Sequence, residues 1–123
     1  MLKIDRIAQI AIRVHDVDRA VAFYRDIMEL RFLFRAGNLA FFDCGGVRIL
    51  LDKPDDAEFD HPSSVIYFNV ADIQSAFATL TERKVETIRE PHVIARLENR
   101  EVWMAFFRDP DRNVLSLTSE VPT

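Results

Sequence analysis

Apolar and polar residues alternate along residues 10–15, and the period then changes at residue 16. Ile10, Ile12 and Val14 alternate with Ala11, Arg13 and His15, the period of two expected of a strand buried on one face. From Val17 onward the apolar positions are Val17, Ala20, Val21, Tyr24, Ile27 and Met28, the spacing of one helix face. Asp16 stands at the junction, where its carboxylate can accept an orphan N–H of the first turn. Asp18 adds negative charge at the positive end of the helix dipole. The pattern predicts a strand within 3–14 running into a helix over 16–28.

The same order recurs further on, with Asp72 in the place of Asp16. Ile66, Phe68 and Val70 take the places of Ile10, Ile12 and Val14. Ile73, Ala76, Phe77 and Leu80 take those of Val17, Ala20, Val21 and Tyr24. This is an internal duplication of one strand–helix–strands module. In the first module, strands are predicted at 31–35, 39–44 and 47–51, with turn signals at Gly37-Asn38 and Gly45-Gly46 between them. Residues 52–64, with Pro54, Pro62 and several acids, read as a linker. In the second module a helix is predicted at 72–83 and strands at 65–70, 85–89, 101–107 and 114–118. Residues 91–99 are ambiguous, and the expectation there is a strand with a turn near Glu98-Asn99. Asp109-Pro110-Asp111-Arg112-Asn113 is a turn, since Pro presets φ while Asp and Asn bond their own backbone. The expected fold class is α+β: two tandem βαβββ modules, 3–52 and 64–119 with linker 53–63, forming a partly open mixed barrel with helices outside. All 123 residues then belong to a single domain. Alternation places Gln9, Ala11 and Arg13, and likewise Val65, Tyr67 and Asn69, on the faces turned away from the helices. Val114, Ser116 and Thr118 join them in the last strand. A concave, sheet-lined space between the modules is the expected cavity.

Composition narrows the function classes. A net charge of −4 argues against nucleic acid as a partner, because phosphate binding needs a basic face. Cys44 is the only cysteine, so no intrachain disulfide can form. No apolar run reaches the ~20 residues of a membrane span, and the charged start MLKID does not read as a signal peptide. A cytoplasmic protein without membrane contact is the expectation.

The stretches IAIRVHDVDRAVAFYRDIMEL and VIYFNVADIQSAFATL, with the C-terminal FFRDPDRNVLSL, resemble the vicinal oxygen chelate superfamily, also called the glyoxalase/bleomycin-resistance/dioxygenase superfamily. The resemblance covers essentially the whole chain. It implies paired βαβββ units, commonly a homodimer and, in metal-dependent members, a divalent cation held by His, Gln and Glu from the first and fourth strand of each module. Carried over by position, the first-strand ligand is Gln9 and its second-module equivalent is Val65. The last-strand ligand falls at Ser116, and the fourth strand offers Arg48, Ile49 or Leu50. A divalent ion needs carboxylate charge and imidazole or oxygen donors, and this set supplies almost none. The departure points to the metal-free branch, with no metal and no cofactor.

Several residues remain to be weighed. His15, His61 and His92 read as separate surface histidines, and Cys44 as a buried structural thiol. Phe32, Phe34, Phe41, Phe42, Phe106 and Phe107 lie on strands, so some must line an apolar, aromatic-walled site suited to planar organic ligands. Trp103 is either a ligand-stacking residue or a dimer-interface anchor. Arg13 or Arg48 could hold an anion bidentately. The expected ligand-binding set is Gln9, Arg13, Arg48, Tyr67, Asn69, Trp103 and Ser116. The expected function is metal-free binding of a small organic ligand, resembling antibiotic or toxin sequestration of the bleomycin-resistance type. The alternative is a lyase or isomerase with an atypical site using Tyr67, Arg13 or a histidine.

Overall fold

The computed structural model describes every residue, Met1–Thr123. The chain divides into two compact units, Met1–Ser63 and Ser64–Thr123. The first holds β1 (Gln9–Arg13), α1 (Val17–Ala22), β2 (Arg31–Ala36), β3 (Leu39–Cys44) and β4 (Val47–Asp52). The second holds β5 (Ile66–Asn69), α2 (Ile73–Glu82), β6 (Glu86–Arg96), β7 (Arg100–Arg108) and β8 (Val114–Pro122). Strand orders are β1-β4-β3-β2 and β5-β8-β7-β6, so the same topology is built twice. In each sheet the first and last strands pair in parallel and the others antiparallel. The fold is mixed α+β, and neither four-stranded sheet closes on itself.

The duplication extends to the caps. Asp16 and Asp72 sit at φ −131°, and each carboxylate accepts the N–H three residues on, from Arg19 and Ser75, at 3.1 Å. Each cap satisfies one of the donors that a helix start leaves unpaired. The strand leading into each helix is held by matching bonds: Val14 N–H donates to the Asp52 carbonyl at 3.0 Å, and Val70 N–H to that of Thr118 at 2.9 Å.

Alternation divides each sheet into a helix face and an open face. In the first unit Ile12, Phe42 and Leu51 are fully buried with Ala20 and Tyr24 of the helical segment, Val17 is buried beside them, and the Tyr24 and Phe42 rings lie 6.3 Å apart. In the second unit Phe68, Phe107, Leu115 and Leu117 are buried, as are Ile73 and Leu80 of α2.

The structure corrects or sharpens the expected elements at four places. The first strand, expected within 3–14, is Gln9–Arg13, and Leu2, Ile4 and Ile7 are exposed; residues 3–8 have no strand to pair with. The first helix changes at Phe23 into a π-helical turn, Phe23–Ile27, in which Met28 N–H reaches back to the Phe23 carbonyl at 3.0 Å. Residues 91–96 are strand as expected, ending before Glu98-Asn99, and they join the strand expected at 85–89 in one long edge strand, β6, whose register shifts break the period-two signal. The linker contains a 3-10 turn, Ala57–Phe59, capped by Asp56.

In the Asp109–Asn113 turn, the buried Asp109 carboxylate accepts the N–H groups of Asp111 and Asn113 and the Asn113 amide, each at 2.9 Å. Arg112 occupies φ +66° there, a left-handed conformation that costs a side-chain-bearing residue about 1–2 kcal/mol. Its guanidinium reaches Glu86 at 3.0 Å.

Candidate functional site

The register of the first sheet arranges its open face in rows that run across all four strands. One row is Gln9, Arg48, Asp43 and Arg31. The next is Ala11, Leu50, Phe41 and Phe34. A third begins with Arg13 and Asp52. Two hairpin features fix this order. The two-residue turn Gly45-Gly46, both at positive φ, pairs Cys44 with Val47, and every later pairing follows from it. A bulge between Phe32 and Phe34 in β2 then brings Phe34 onto the open face beside Phe41.

Side chains in these rows interact. The Phe34 and Phe41 rings stack, with centroids 4.5 Å apart and planes 27° apart. The Arg48 guanidinium lies 5.4 Å from the Phe41 centroid, a cation–π geometry. Arg48 and Gln9 are exposed, while Leu50 is buried.

Arg13 belongs to the same face but is already engaged. Its Nη1 donates to Asp60 Oδ1 at 3.3 Å, and its backbone N–H donates to Ser63 Oγ at 3.1 Å. His15 Nε2 meets the same Asp60 oxygen at 2.8 Å. These bonds, His15 first, hold the Asp60 carboxyl below its ordinary value. His61 and His92 each contact a nearby backbone carbonyl, of Pro62 at 3.1 Å and Glu90 at 3.0 Å. Each of the three histidines has a contact of its own.

The open face of the second sheet is built differently. Its rows are Tyr67, Ser116, Phe106, Arg89 and Asn69, Thr118, Met104, His92. Tyr67 and Phe106 flank Ser116 from the strands on either side, and their rings meet edge to face at 6.0 Å. Strands two apart are about 9.6 Å apart, so the rings lean toward each other above the small serine. Ser116 is fully buried, and its hydroxyl contacts the Ala105 carbonyl at 2.8 Å and that of Leu117 at 3.1 Å. Thr118 Oγ1 donates to the Trp103 carbonyl at 3.0 Å. Tyr67 and Asn69 remain exposed.

Trp103 does not share a face with Tyr67, Asn69 and Ser116. It pairs with Ser119, on the helix side of the sheet, and lines an open hollow of about 420 Å³ with Ala71, Ile73, Gln74 and Val121. Its Nε1 donates to Glu101 at 3.3 Å, and the other oxygen of that carboxylate takes Arg96 Nε at 3.1 Å. Within the two sheets, Gln9, Arg48 and Arg13, the last tied to Asp60, lie on the open face of the first, Tyr67, Asn69 and Ser116 lie on the open face of the second, and Trp103 lies on the helix side of the second.

The positions that correspond to metal ligands can now be tested against the geometry. Ile49 points to the helix, and the duplication equates Leu50 with Ser116, because Ala11 pairs with Leu50 as Tyr67 does with Ser116. The four positions are thus Gln9, Leu50, Val65 and Ser116. An alkane, a second alkane, one amide and a hydroxyl bonded to the backbone do not compensate a divalent charge. No group of three or more His, Cys, Asp or Glu side chains is placed to hold a metal ion within either unit. The residues present do not fit a bound divalent cation.

Cys44 offers no reactive thiolate, since burial, and then the charge of Asp43, push its thiol up. Phe34, Phe41 and Asp43 were not singled out together by the pattern of the sequence. The Gly45-Gly46 turn could have shown that Asp43 and Phe41 flank Arg48, because a two-residue hairpin fixes register. The bulge that adds Phe34 has no such signal.

Comparison with known proteins agrees with this architecture. Residues 6–117 match the family model of the Glyoxalase/Bleomycin resistance protein/Dioxygenase superfamily. The uncharacterized protein YraH of Bacillus subtilis (strain 168) is 27% identical, covering 91% of this chain and 96% of that one. Among solved structures, a lactoylglutathione lyase from Agrobacterium tumefaciens is 24% identical, with TM-score 0.74 over 95% of both chains. The virulence protein STM3117 from Salmonella typhimurium superposes with TM-score 0.78 at 20% identity, over 98% of this chain and 100% of that one. The fosfomycin resistance protein FosX from Listeria monocytogenes does so with TM-score 0.73 at 17% identity, over 95% and 94%. At such identities the structural likeness speaks for the fold. The chain belongs to the Glyoxalase/Bleomycin resistance protein/Dioxygenase superfamily.

Proposed function

We propose that this member of the glyoxalase/bleomycin-resistance/dioxygenase superfamily binds a small organic ligand without a divalent metal, as a sequestering protein rather than a catalyst. One observation carries the reading: the four ligand positions hold Gln9, Leu50, Val65 and Ser116, and the only hydroxyl among them is buried and bonded to the Ala105 carbonyl. The open face of β1–β4 keeps what a binding site needs, an aromatic stack of exposed Phe34 and half-buried Phe41 beside exposed amide and guanidinium donors. The enzyme alternative is less well supported. Arg13 and His15 converge on Asp60 in the linker, and the Tyr67 ring packs edge to face against Phe106. The reading takes the working form to be a homodimer, which sedimentation velocity tests.

Elemental analysis of the purified protein, with thermal melting in Ni²⁺, Zn²⁺, Mn²⁺ and Fe²⁺, tests the metal-free part. An ion at one hundred times its Kd would stabilise the fold by about 2.7 kcal/mol. The expected result is no stoichiometric metal and no shift. Stoichiometric metal with such a shift overturns the proposal.

A further inference from the structure

We infer that the open face of β1–β4 recognises a planar aromatic anion, with Arg48 and Gln9 holding the acid group and Phe41 and Phe34 taking the ring. This rests on the binding reading above and names the class of ligand. The geometry is that of two adjacent rows. Gln9, Arg48, Asp43 and Arg31 form a polar row, and Ala11, Leu50, Phe41 and Phe34 form an apolar one. Rows two residues apart on a strand lie about 7 Å apart, which a bicyclic aromatic acid spans.

The charges favour an anion. Arg48 faces Asp43 across the ladder, but Asp43 also has Arg31 on its far side. The row therefore carries one positive charge in excess, within a chain of net charge −4. The Arg48 guanidinium carbon lies over the Phe41 ring, 5.4 Å from its centroid, and an exposed guanidinium offers a fork of N–H donors that matches a carboxylate. On the side of Arg48 away from Asp43 stands Gln9, exposed, with an amide NH₂ to give. The carboxylate belongs between Arg48 and Gln9. The ring then extends over Ala11 and Leu50 toward the Phe41–Phe34 stack. Ala11 is the smallest side chain of the apolar row, and the corresponding residue of the second sheet is the ring-bearing Tyr67.

Isothermal titration of the metal-free protein with 2-naphthoate and with 2-naphthamide tests the inference. The two probes share a ring system and differ in charge. The expected result is binding of 2-naphthoate at least tenfold tighter than 2-naphthamide. Arg48→Met should close that gap while leaving the amide affinity within about twofold, and Phe41→Leu should weaken both probes. Arg48 is exposed, so an unchanged melting temperature shows that the variant is folded. A gap that survives in Arg48→Met, or equal binding of both probes by the unaltered protein, overturns the inference while leaving small-molecule binding in place. Failure of both probes to bind also overturns it, and the metal measurement then decides the broader reading separately.

Discussion

At the same position of the repeat, the first sheet carries Ala11, Leu50 and Phe41 across three strands, and the second carries Tyr67, Ser116 and Phe106. Topology, caps and core are shared, yet the open faces differ. In the second sheet two rings close above a small residue, and the hydroxyls of Ser116 and Thr118 are used by backbone carbonyls. In the first, a small residue at the edge leaves Gln9 and Arg48 exposed beside a stacked aromatic pair. The comparison teaches that a duplicated module can keep its helix face for stability while its two open faces diverge, one toward an arginine beside an aromatic stack and the other toward exposed Tyr67 and Asn69 beside backbone-bonded hydroxyls.

The largest test of that division sets neighbouring residues of β3 against each other. Phe42→Ala removes a fully buried ring that meets Phe32 and Tyr24, and should cost about 3–5 kcal/mol in urea unfolding. Phe41→Ala, on the open face, should cost about 1 kcal/mol. Equal losses would mean that the open face is a second core rather than a binding surface.

The hairpins that lead into β4 and β8 come next. Asp109→Ala leaves three donors without their carboxylate and should cost about 3 kcal/mol. Gly46→Ala, at φ +91°, should cost about 1 kcal/mol by strain alone, since a Cβ there meets nothing. A reversed order in thermal melting would show that the turn of the first unit is the more tightly constrained.

Helix starts should show no difference between the units. Asp16→Ala and Asp72→Ala each remove one capping bond of the same length and should each cost about 1 kcal/mol. A gap of more than a factor of two would break the equivalence of the repeats.

The smallest effect belongs to the first unit alone. His15 and Arg13 hold the folded-state pKa of Asp60 below its ordinary value of 3.8. The stabilisation is therefore present above that ordinary value and is lost as pH falls through the lowered one. The Asp60 carboxyl resonance should titrate below pH 3.8, and His15→Gln should move it upward. An unchanged titration would detach the linker from this corner.

Much of this was legible in the chain itself. The switch from period two to helical spacing at Asp16 and Asp72 carried the element order, and the alternation of Ile10, Ile12 and Val14 carried the faces of β1. What escaped depended on distant partners. Residues 3–8 have no neighbouring strand to pair with, which the residues themselves do not reveal. The bulges of β6 hid a single strand, and Phe34 reached the open face only through a bulge. The side of Trp103 follows from its pairing with Ser119, a buried serine that continues the Leu115 and Leu117 series. Arg13 looked available because Asp60, which engages it, lies in a linker with no periodic signal.

The most direct test of the central claim is amide chemical-shift mapping of the ¹⁵N-labelled, metal-free protein titrated with 2-naphthoate. The account predicts that the shifts concentrate on Gln9, Ala11, Phe34, Phe41 and Arg48, and that the amides of Tyr67, Asn69 and Ser116 stay where they are. Shifts centred on β5–β8, or on the hollow beside Trp103, would contradict it.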